Sequence, residues 1–131
     1  MILDSSALLS IFFDEPIKDI LLDRIEQAQV LGIGAPTLVE TGIVLAARTK
    51  VEEFLLNEFI HRMGISIIPF TQDHYREAMR AYRLYGKGRH PAALNFGDCL
   101  TYAVAKVSGL PLLCVGEDFR KTDLPVVDIQ G

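Results

Sequence analysis

The stretch Leu94–Gly109 has the sequence LNFGDCLTYAVAKVSG, and it decides the fold. Apolar side chains recur in it at the spacing of a helix, and Gly109 and Pro111 follow as the usual stop signals. The pattern predicts a helix with a buried apolar side and one carboxylate, Asp98, in its first turn. Asn95 can cap this helix, with Asp98 as the acid of a capping box. The alternative is that Asp98 acts in chemistry together with other acids.

Short apolar segments alternate with helical patterns along the rest of the chain. The strands predicted from these segments are Ile2–Leu3, Val30–Ala35, Ile65–Phe70, Leu112–Val115 and a last one at Val126–Ile129. Alternation of this kind predicts βαβ units with right-handed crossovers. We therefore expect an α/β fold with a central parallel sheet of four to five strands and helices on both faces.

The composition limits the class of protein. The chain has 131 residues, of which 50% are hydrophobic and 23% charged, and this predicts one domain over residues 1–131 with a single core. Charges interrupt every apolar run before the ~20 residues that a membrane helix needs, and no signal peptide pattern is present, so we expect a cytoplasmic protein. Cys99 and Cys114 lie in apolar segments and are expected to be buried side chains, not a disulfide or a zinc site.

Acidic residues are predicted to meet at one edge of the sheet. Asp4 and Asp118 directly follow strands, and ligands of such sheets bind at the carboxyl ends of the strands. Glu40 is expected in the first turn of the helix after the second strand, where Thr37-x-x-Glu40 also matches a capping box. Carboxylates that converge repel one another by about 4 kcal/mol per pair at ~4 Å. Hard oxygen ligands in a cluster suit Mg²⁺ or Mn²⁺, so the pattern indicates metal-assisted phosphodiester cleavage.

Basic residues are concentrated between the third strand and the central helix. The helical pattern after Thr71 predicts one inward face (Tyr75, Ala78, Met79, Tyr82) and one arginine face (Arg76, Arg80, Arg83). The loop Gly86–Pro91 adds Lys87, Arg89 and His90. The net charge of −4 argues against a protein that binds nucleic acid through its overall charge. A local basic patch and an ordinary solvated face both remain open.

The sequence resembles the PIN-domain ribonucleases and, within them, the VapC-type toxins of bacterial toxin–antitoxin pairs. The resemblance covers essentially the whole chain. It rests on Leu3-Asp4-Ser5-Ser6-Ala7-Leu8, on Glu40 after Pro36-Thr37, on Leu94-Asn-Phe-Gly-Asp98, on Gly116-Glu-Asp118-Phe119 and on the loop Tyr85-Gly-Lys-Gly-Arg-His90. Many relatives carry a Thr and a further Asp where this chain has Cys114 and Gly116, so Asp118 is chosen as the fourth acid and Glu117 is the alternative.

The resemblance implies a three-layer PIN-like sandwich and a Mg²⁺-dependent endoribonuclease, with Mn²⁺ as a possible substitute. Asp4 and Asp98 would hold the metal directly, and Glu40 and Asp118 would complete the acidic pocket. Ser6 either orients a carboxylate or caps the first helix, and Asn95 supports the pocket or is a plain helix cap. The resemblance also implies a small antitoxin of VapB type that covers the pocket, a homodimer, and a toxin–antitoxin hetero-oligomer.

An RNA substrate would give the basic residues a role in binding its phosphates. We predict that Lys87 and Arg89, helped by Arg80 or Arg83, contact RNA phosphates. The competing functions are a PIN-like binding module without catalysis and a structure-specific DNA nuclease. A receiver-type phosphotransfer domain is disfavoured, because the third strand ends in Ile68-Pro69-Phe70 without an acceptor aspartate.

Overall fold

A parallel sheet forms the centre of the molecule. The structure is a computed structural model that describes residues 1–130, so Gly131, the end of the predicted domain, lies outside the described residues. The strands are β1 (Ile2–Leu3), β2 (Gly32–Gly34), β3 (Ser66–Ile68) and β4 (Leu112–Leu113). Their order is β3-β2-β1-β4, with every neighbouring pair parallel. The expected last strand is reduced to one parallel bridge between Leu112 and Val126, and the predicted α/β class is confirmed.

Helices connect the strands and cover both faces of the sheet. They are α1 (Ser5–Phe12), α2 (Lys18–Gln27), α3 (Ala35–Arg48), α4 (Glu53–Arg62), α5 (Gln72–Tyr85) and α6 (Phe96–Ser108), with a 3₁₀ turn at Phe119–Lys121. Within residues 1–130, none of these helices has the length and apolar character needed to cross a membrane.

The sheet separates two hydrophobic clusters, where the sequence predicted one core. Leu3 and Leu113 pack on one face, in a cluster with apolar side chains of α1 to α4. Ile2 and Leu112 point to the other face, in a cluster with α5 and α6. Successive residues of a strand face opposite sides of a sheet, so even strands this short contribute to both clusters. Cys99 and Cys114 are buried and free, as expected.

The central helix α6 forms as its sequence predicts and lies close to the sheet. Asn95 caps its first turn, and Gly109 ends it in the left-handed conformation with φ of 71°, which glycine adopts without strain. A side chain at Gly34 would approach Val104 Cγ2 to 2.8 Å. The absence of that side chain lets α6 pack directly on β2, close to the carboxyl end of that strand.

Two local predictions are wrong. Helix α3 begins at Ala35 with Gly34 at its N-cap and no side-chain capping bond, so Thr37 and Glu40 do not form a capping box and Glu40 lies in the second turn. On α5, Ala78 is buried as predicted, but Tyr75, Met79 and Tyr82 are 60%, 43% and 42% exposed. Apolar spacing identified that stripe correctly, yet the stripe is not covered by the rest of the described chain.

Candidate active site

Asp4 lies at the carboxyl end of β1 with its side chain buried, 6% of the residue being exposed. It is the N-cap of α1, and its Oδ2 accepts hydrogen bonds from Ser6 N at 3.2 Å and Ser6 Oγ at 2.6 Å. Ser6 Oγ also accepts a hydrogen bond from Val115 N at 2.9 Å. Ser6 therefore orients the Asp4 carboxylate and ties it to the loop after β4, while Asp4 itself provides the cap.

Asp98 is both a capping acid and a member of an acidic cluster. Its Oδ2 accepts from Asn95 N at 3.1 Å, and Asn95 Oδ1 accepts from Asp98 N at 2.9 Å. Burial raises the pKa of Asp98 to about 6, the hydrogen bond from Asn95 opposes this rise, and the charges of Asp4, Asp118 and Glu40 add to it. The carboxylates expected at the sheet edge thus lie within electrostatic reach of Asp98, and capping and chemistry are not exclusive.

Glu40 reaches the cluster because the residue beside Asp98 has no side chain. A Cβ atom at Gly97 would lie 2.6 Å from Glu40 Oε2, so the carboxylate rests directly against the first turn of α6. One turn deeper on each helix, Thr37 Oγ1 and Thr101 Oγ1 share a buried hydrogen bond of 3.1 Å. That bond fixes α3 against α6 and thereby fixes Glu40 relative to Asp98.

Asp118, and not Glu117, is the acid that acts on Asp98. Asp118 precedes the 3₁₀ turn, makes no capping bond there, and contributes to the raised pKa of Asp98. The Glu117 side chain is 74% exposed and lies 3.7 Å from Arg120 Nε. Between these acids and Asp4, burial followed by the charge of Asp4 raises the pKa of the Cys114 thiol to about 12. Cys114 therefore stays a neutral thiol beside the acids.

The basic loop is folded back onto the start of the central helix. Lys87 N donates to Leu94 O at 3.0 Å, and Leu94 N donates to Tyr85 O at 2.9 Å. Leu94 directly precedes the capping residue Asn95, so Lys87 is held close to the first turn of α6. Lys87 is exposed, and the Arg89 guanidinium lies 5.1 Å from the centre of the Tyr82 ring.

Arg80 is paired with side chains of α5 and α6. Its Nη1 donates to the hydroxyl of Tyr102 at 3.1 Å and lies 3.6 Å from Glu77 Oε2, while the side chain stays 41% exposed. Arg83, further along α5, is also exposed. That Arg80 or Arg83 helps the loop to contact RNA stays a prediction.

Comparison with known proteins places this arrangement in a family. A sequence profile described as the PIN domain matches residues 1–124. A ribonuclease VapC of Mycolicibacterium smegmatis is 41% identical over 128 residues, covering 97% of this chain and 99% of the relative. Ribonuclease VapC30 of Mycobacterium tuberculosis is 38% identical and covers 97% and 98%. The chain belongs to the PIN-domain VapC ribonucleases.

Two solved structures have the same fold as this chain. The toxin VapC20 of Mycobacterium tuberculosis, described as cleaving the sarcin–ricin loop, superposes with a TM-score of 0.74 at 16% identity, covering 96% of this chain and 97% of that one. A toxin–antitoxin complex from Klebsiella pneumoniae gives a TM-score of 0.72 at 17% identity, with coverage of 98% and 97%. The predicted PIN-like sandwich and the predicted enzyme class, a ribonuclease, are confirmed at the level of the family.

The acids of this PIN domain form a donor set that suits a metal ion. PIN-domain VapC nucleases depend on metal in general, and carboxylate oxygens are hard ligands of the kind that Mg²⁺ prefers. None of the ion pairs found within residues 1–130 involves Asp4, Glu40, Asp98 or Asp118. The cluster is thus negative charge without a protein cation to balance it.

In the part of the chain that the structure describes, no three acidic, histidine or cysteine side chains stand close enough together to surround an ion directly. Mg²⁺ commonly keeps several waters and takes only one or two carboxylates from the protein. The acids of the PIN domain are carboxylates of the kind that such an ion takes.

The sequence did not reveal two contacts made by the helices that carry this site. One is the buried bond between Thr37 and Thr101, and the other is the hydroxyl of Tyr102, which bonds to Arg80 and to Asp123. Each joins residues far apart in the chain. The only sequence signal was a polar side chain inside an otherwise apolar helical stripe.

Proposed function

We propose that this PIN domain is a Mg²⁺-dependent endoribonuclease that acts as the toxin of a toxin–antitoxin pair. The observation that carries the proposal is the group of acids around Asp98. Burial raises the pKa of Asp98, and the charges of Asp4, Asp118 and Glu40 add to the rise. Repulsion of this kind lowers stability, so a group of acids without a protein cation is best explained by a function that needs a cation. The VapC names of the relatives support RNA as the substrate.

Each residue has a defined part in the proposed chemistry. Asp4, held by Ser6, and Asp98, held by Asn95, would bind the ion, which when bound activates water and offsets charge on the phosphate. At neutral pH most Asp98 is ionised, because its pKa of about 6 lies below that pH. Glu40 is exposed at the mouth, where its carboxylate can accept a proton from the attacking water. Asp118 completes the acidic pocket.

Positive charge for the RNA backbone would come from the loop beside α6. Lys87 and Arg89 are exposed there, as is Arg83 at the end of α5. Contacts to phosphates provide affinity and register but no sequence information. The chain has a net charge of −4, so these few residues would have to offset the repulsion between the acidic pocket and the phosphates.

An antitoxin and a second copy of the chain are the proposed protein partners. The Klebsiella neighbour is described as a toxin–antitoxin complex, which supports a small VapB-type antitoxin that covers the acidic pocket. For the second copy, the structure offers an apolar groove of about 710 Å³ between α3, α5 and the start of α6. Val39, Ile43, Tyr75 and Phe96, which line it, are 60%, 64%, 60% and 80% exposed.

A second copy suits this groove better than RNA does. Contiguous apolar surface of this kind marks protein contacts, and a twofold axis through it would pair the same apolar patch of both copies. Glu40 also lines the groove, so pairing here would bring two acidic pockets to one shared face. This surface supports the proposed homodimer, and the toxin–antitoxin complex of the Klebsiella neighbour supports the proposed hetero-oligomer.

Expression in a bacterial host tests the toxin function. The parent chain should arrest growth, and Asp4→Asn should relieve the arrest, since asparagine keeps the shape and removes the charge of a metal ligand. Asp14→Asn is the matched control, because Asp14 is an exposed acid outside the pocket, and asparagine tolerates its φ of 56°. Equal toxicity of the parent and Asp4→Asn at matched expression would refute the role of Asp4.

A further inference from the structure

Tyr102 lies at the centre of a polar network within the α6 side of the molecule. It is among the largest fully buried side chains, with 0% exposed. Its hydroxyl donates to Asp123 Oδ1 at 2.5 Å and accepts from Arg80 Nη1 at 3.1 Å. Lys106 Nζ donates to Asp123 Oδ2 at 2.8 Å. These residues, called the Tyr102 network below, join α5, α6 and the segment after the 3₁₀ turn.

The protonation states of the network are mutually consistent. Burial, followed by the bond to Asp123, raises the pKa of Tyr102 above its ordinary value, so the hydroxyl keeps its proton. Burial alone would raise the pKa of Asp123, but hydrogen bonds from Lys106 and Tyr102 outweigh it and the pKa is lowered. Tyr102 is therefore a fixed donor and Asp123 a fixed acceptor at neutral pH.

Stability alone does not account for this network. The side chains of Lys106 and Asp123 are 37% and 34% exposed, and ion pairs this close to solvent contribute little. A buried tyrosine needs a partner for its hydroxyl, whereas phenylalanine would fill the same apolar space without that requirement. The presence of the Tyr102 hydroxyl is thus better explained by a role in positioning Asp123 and the segment around it.

The network holds the short segment that carries Asp118. Between Asp118 and Asp123, Phe119 is buried with 4% exposed, and Thr122 Oγ1 donates to Phe119 O at 2.6 Å. Leu124 N in turn donates to Thr122 Oγ1 at 3.2 Å. The segment is therefore closed on itself by hydrogen bonds and buried at one point, so that a shift at Asp123 is transmitted to Asp118.

The other end of the network lies on the helix that carries Asp98. Tyr102 follows Asp98 by one helical turn, so the same rigid helix presents both side chains. Asp118 lies five residues before Asp123, so the separation of the Asp118 and Asp98 carboxylates depends on how this segment sits on α6. The contact from Tyr102 to Asp123 sets that placement.

We infer that Tyr102 and Asp123 are positioning residues that fix Asp118 relative to Asp98 in the metal pocket. The inference rests on the proposed function, because it concerns the same pocket. It assigns a role to residues outside the set that would hold the ion, and it gives the bond from Arg80 to the Tyr102 hydroxyl a purpose. Mutation of a group that orients a metal ligand typically costs about 10- to 100-fold in metal affinity or activity.

The test compares the full-length parent with Tyr102→Phe and Asp123→Asn. Isothermal titration with Mg²⁺ alone should show a dissociation constant raised by about tenfold in each variant. Steady-state cleavage of RNA should show kcat lowered by roughly 10- to 100-fold, with KM changed by less than about twofold. A network that only stabilises the fold would lower the melting temperature and leave the Mg²⁺ dissociation constant unchanged.

Two matched controls complete the experiment. Tyr85→Phe removes a hydroxyl from a tyrosine whose ring packs against Tyr102 at 5.9 Å between centroids. Asp128→Asn neutralises an exposed acid of the same C-terminal segment, whose side chain accepts from Gln130 N at 2.9 Å. Both should bind Mg²⁺ like the parent. If Tyr102→Phe does not fold, Asp123→Asn decides the question, because its side chain is close to the surface.

The possible outcomes separate this inference from the proposed function. Variants that match their controls in Mg²⁺ affinity and kcat, while the parent binds Mg²⁺ and cleaves RNA, would overturn the positioning role alone. A parent that neither binds Mg²⁺ nor cleaves RNA would overturn the proposed function, and the positioning role with it.

Discussion

Replacing Asp98 with asparagine should make the metal-free protein more stable at neutral pH. Burial and the charges of Asp4, Asp118 and Glu40 all oppose the ionised form of Asp98. Asparagine removes the charge but keeps an oxygen that can accept the hydrogen bond from Asn95 N, so the capping box survives. An ordinary capping acid would give the opposite result, because its loss weakens the helix.

The size of the effect follows from the pKa of Asp98. The rise from 3.8 to about 6 corresponds to at most about 3 kcal/mol, since each pKa unit is worth about 1.4 kcal/mol. Partial exposure of Asp98 reduces this figure, and the lost attraction to the helix N-terminus subtracts about 0.3–1 kcal/mol. We expect a net gain of about 1 kcal/mol, or roughly 3–5 °C in melting temperature.

The direction of the pKa shift of Asp98 also determines how the stability of the metal-free protein depends on pH. The pKa of Asp98 is higher in the folded than in the unfolded chain, so its favourable contribution is complete below pH 3.8 and is lost as pH rises through about 6. The advantage of Asp98→Asn over the parent should therefore grow between these values and stay constant above them. This applies only without metal, because a bound cation would offset the repulsion.

Urea unfolding of both proteins, in EDTA across this pH range and then with Mg²⁺, measures these quantities. Mg²⁺ should stabilise the parent more than Asp98→Asn, because a ligand stabilises the folded state that binds it. Asp19→Asn is the matched control, since Asp19 is an acid in the first turn of α2 outside the pocket. It should lose about 0.3–1 kcal/mol and show no added response to Mg²⁺.

One result would refute the acidic pocket. If Asp98→Asn unfolds more easily than the parent in EDTA at neutral pH, by about 0.5–2 kcal/mol, Asp98 behaves as a simple cap. An equal response of the two proteins to Mg²⁺ would point the same way. Together these outcomes would leave the raised pKa without a function.

Two further expectations concern the surface. Replacing Lys87 and Arg89 by alanine should weaken RNA binding and reduce the slope of its salt dependence by about 1–2. The same changes at Arg48 and Lys50 should leave the slope unchanged. An unchanged slope in the Lys87 and Arg89 variant would mean that the loop is an ordinary solvated surface. Ile43→Glu should convert a homodimer to a monomer of parental melting temperature in light-scattering chromatography, and a parent that is already monomeric would refute pairing through the α3 groove.

Part of the arrangement of the acids depends on local rules. Asp4 directly follows β1 as predicted, and the carboxyl ends of parallel strands share an edge. Asp118 was expected directly after a strand, but β4 ends at Leu113 and four residues separate it from Asp118. The capping box of Asn95 and Asp98 is likewise a short-range pattern, and it forms as predicted. Residue roles within the pocket, including which acids hold metal, stay predictions.

The parts that failed depend on which surfaces meet. Thr37 matched a capping pattern, but α3 starts earlier because Gly34 caps it, and the Thr37 hydroxyl instead finds Thr101 on another helix. Tyr75 lies on an apolar stripe that spacing cannot assign to the chain's own core or to a partner. Arg80 looked like part of a charged face, and only the packing of α5 on α6 shows that Tyr102 takes its guanidinium.

The residue at position 97 determines whether the Glu40 carboxylate can reach the acidic pocket. The atom that a side chain there would strike is the end of the flexible Glu40 chain, at 2.6 Å, so a larger residue would leave the fold intact and move the carboxylate away. A homologue could therefore lose its chemistry while keeping its charge, its stability and its binding surfaces. We therefore expect chains that retain every acid but carry a side chain at this position to be less active than a count of their acids suggests.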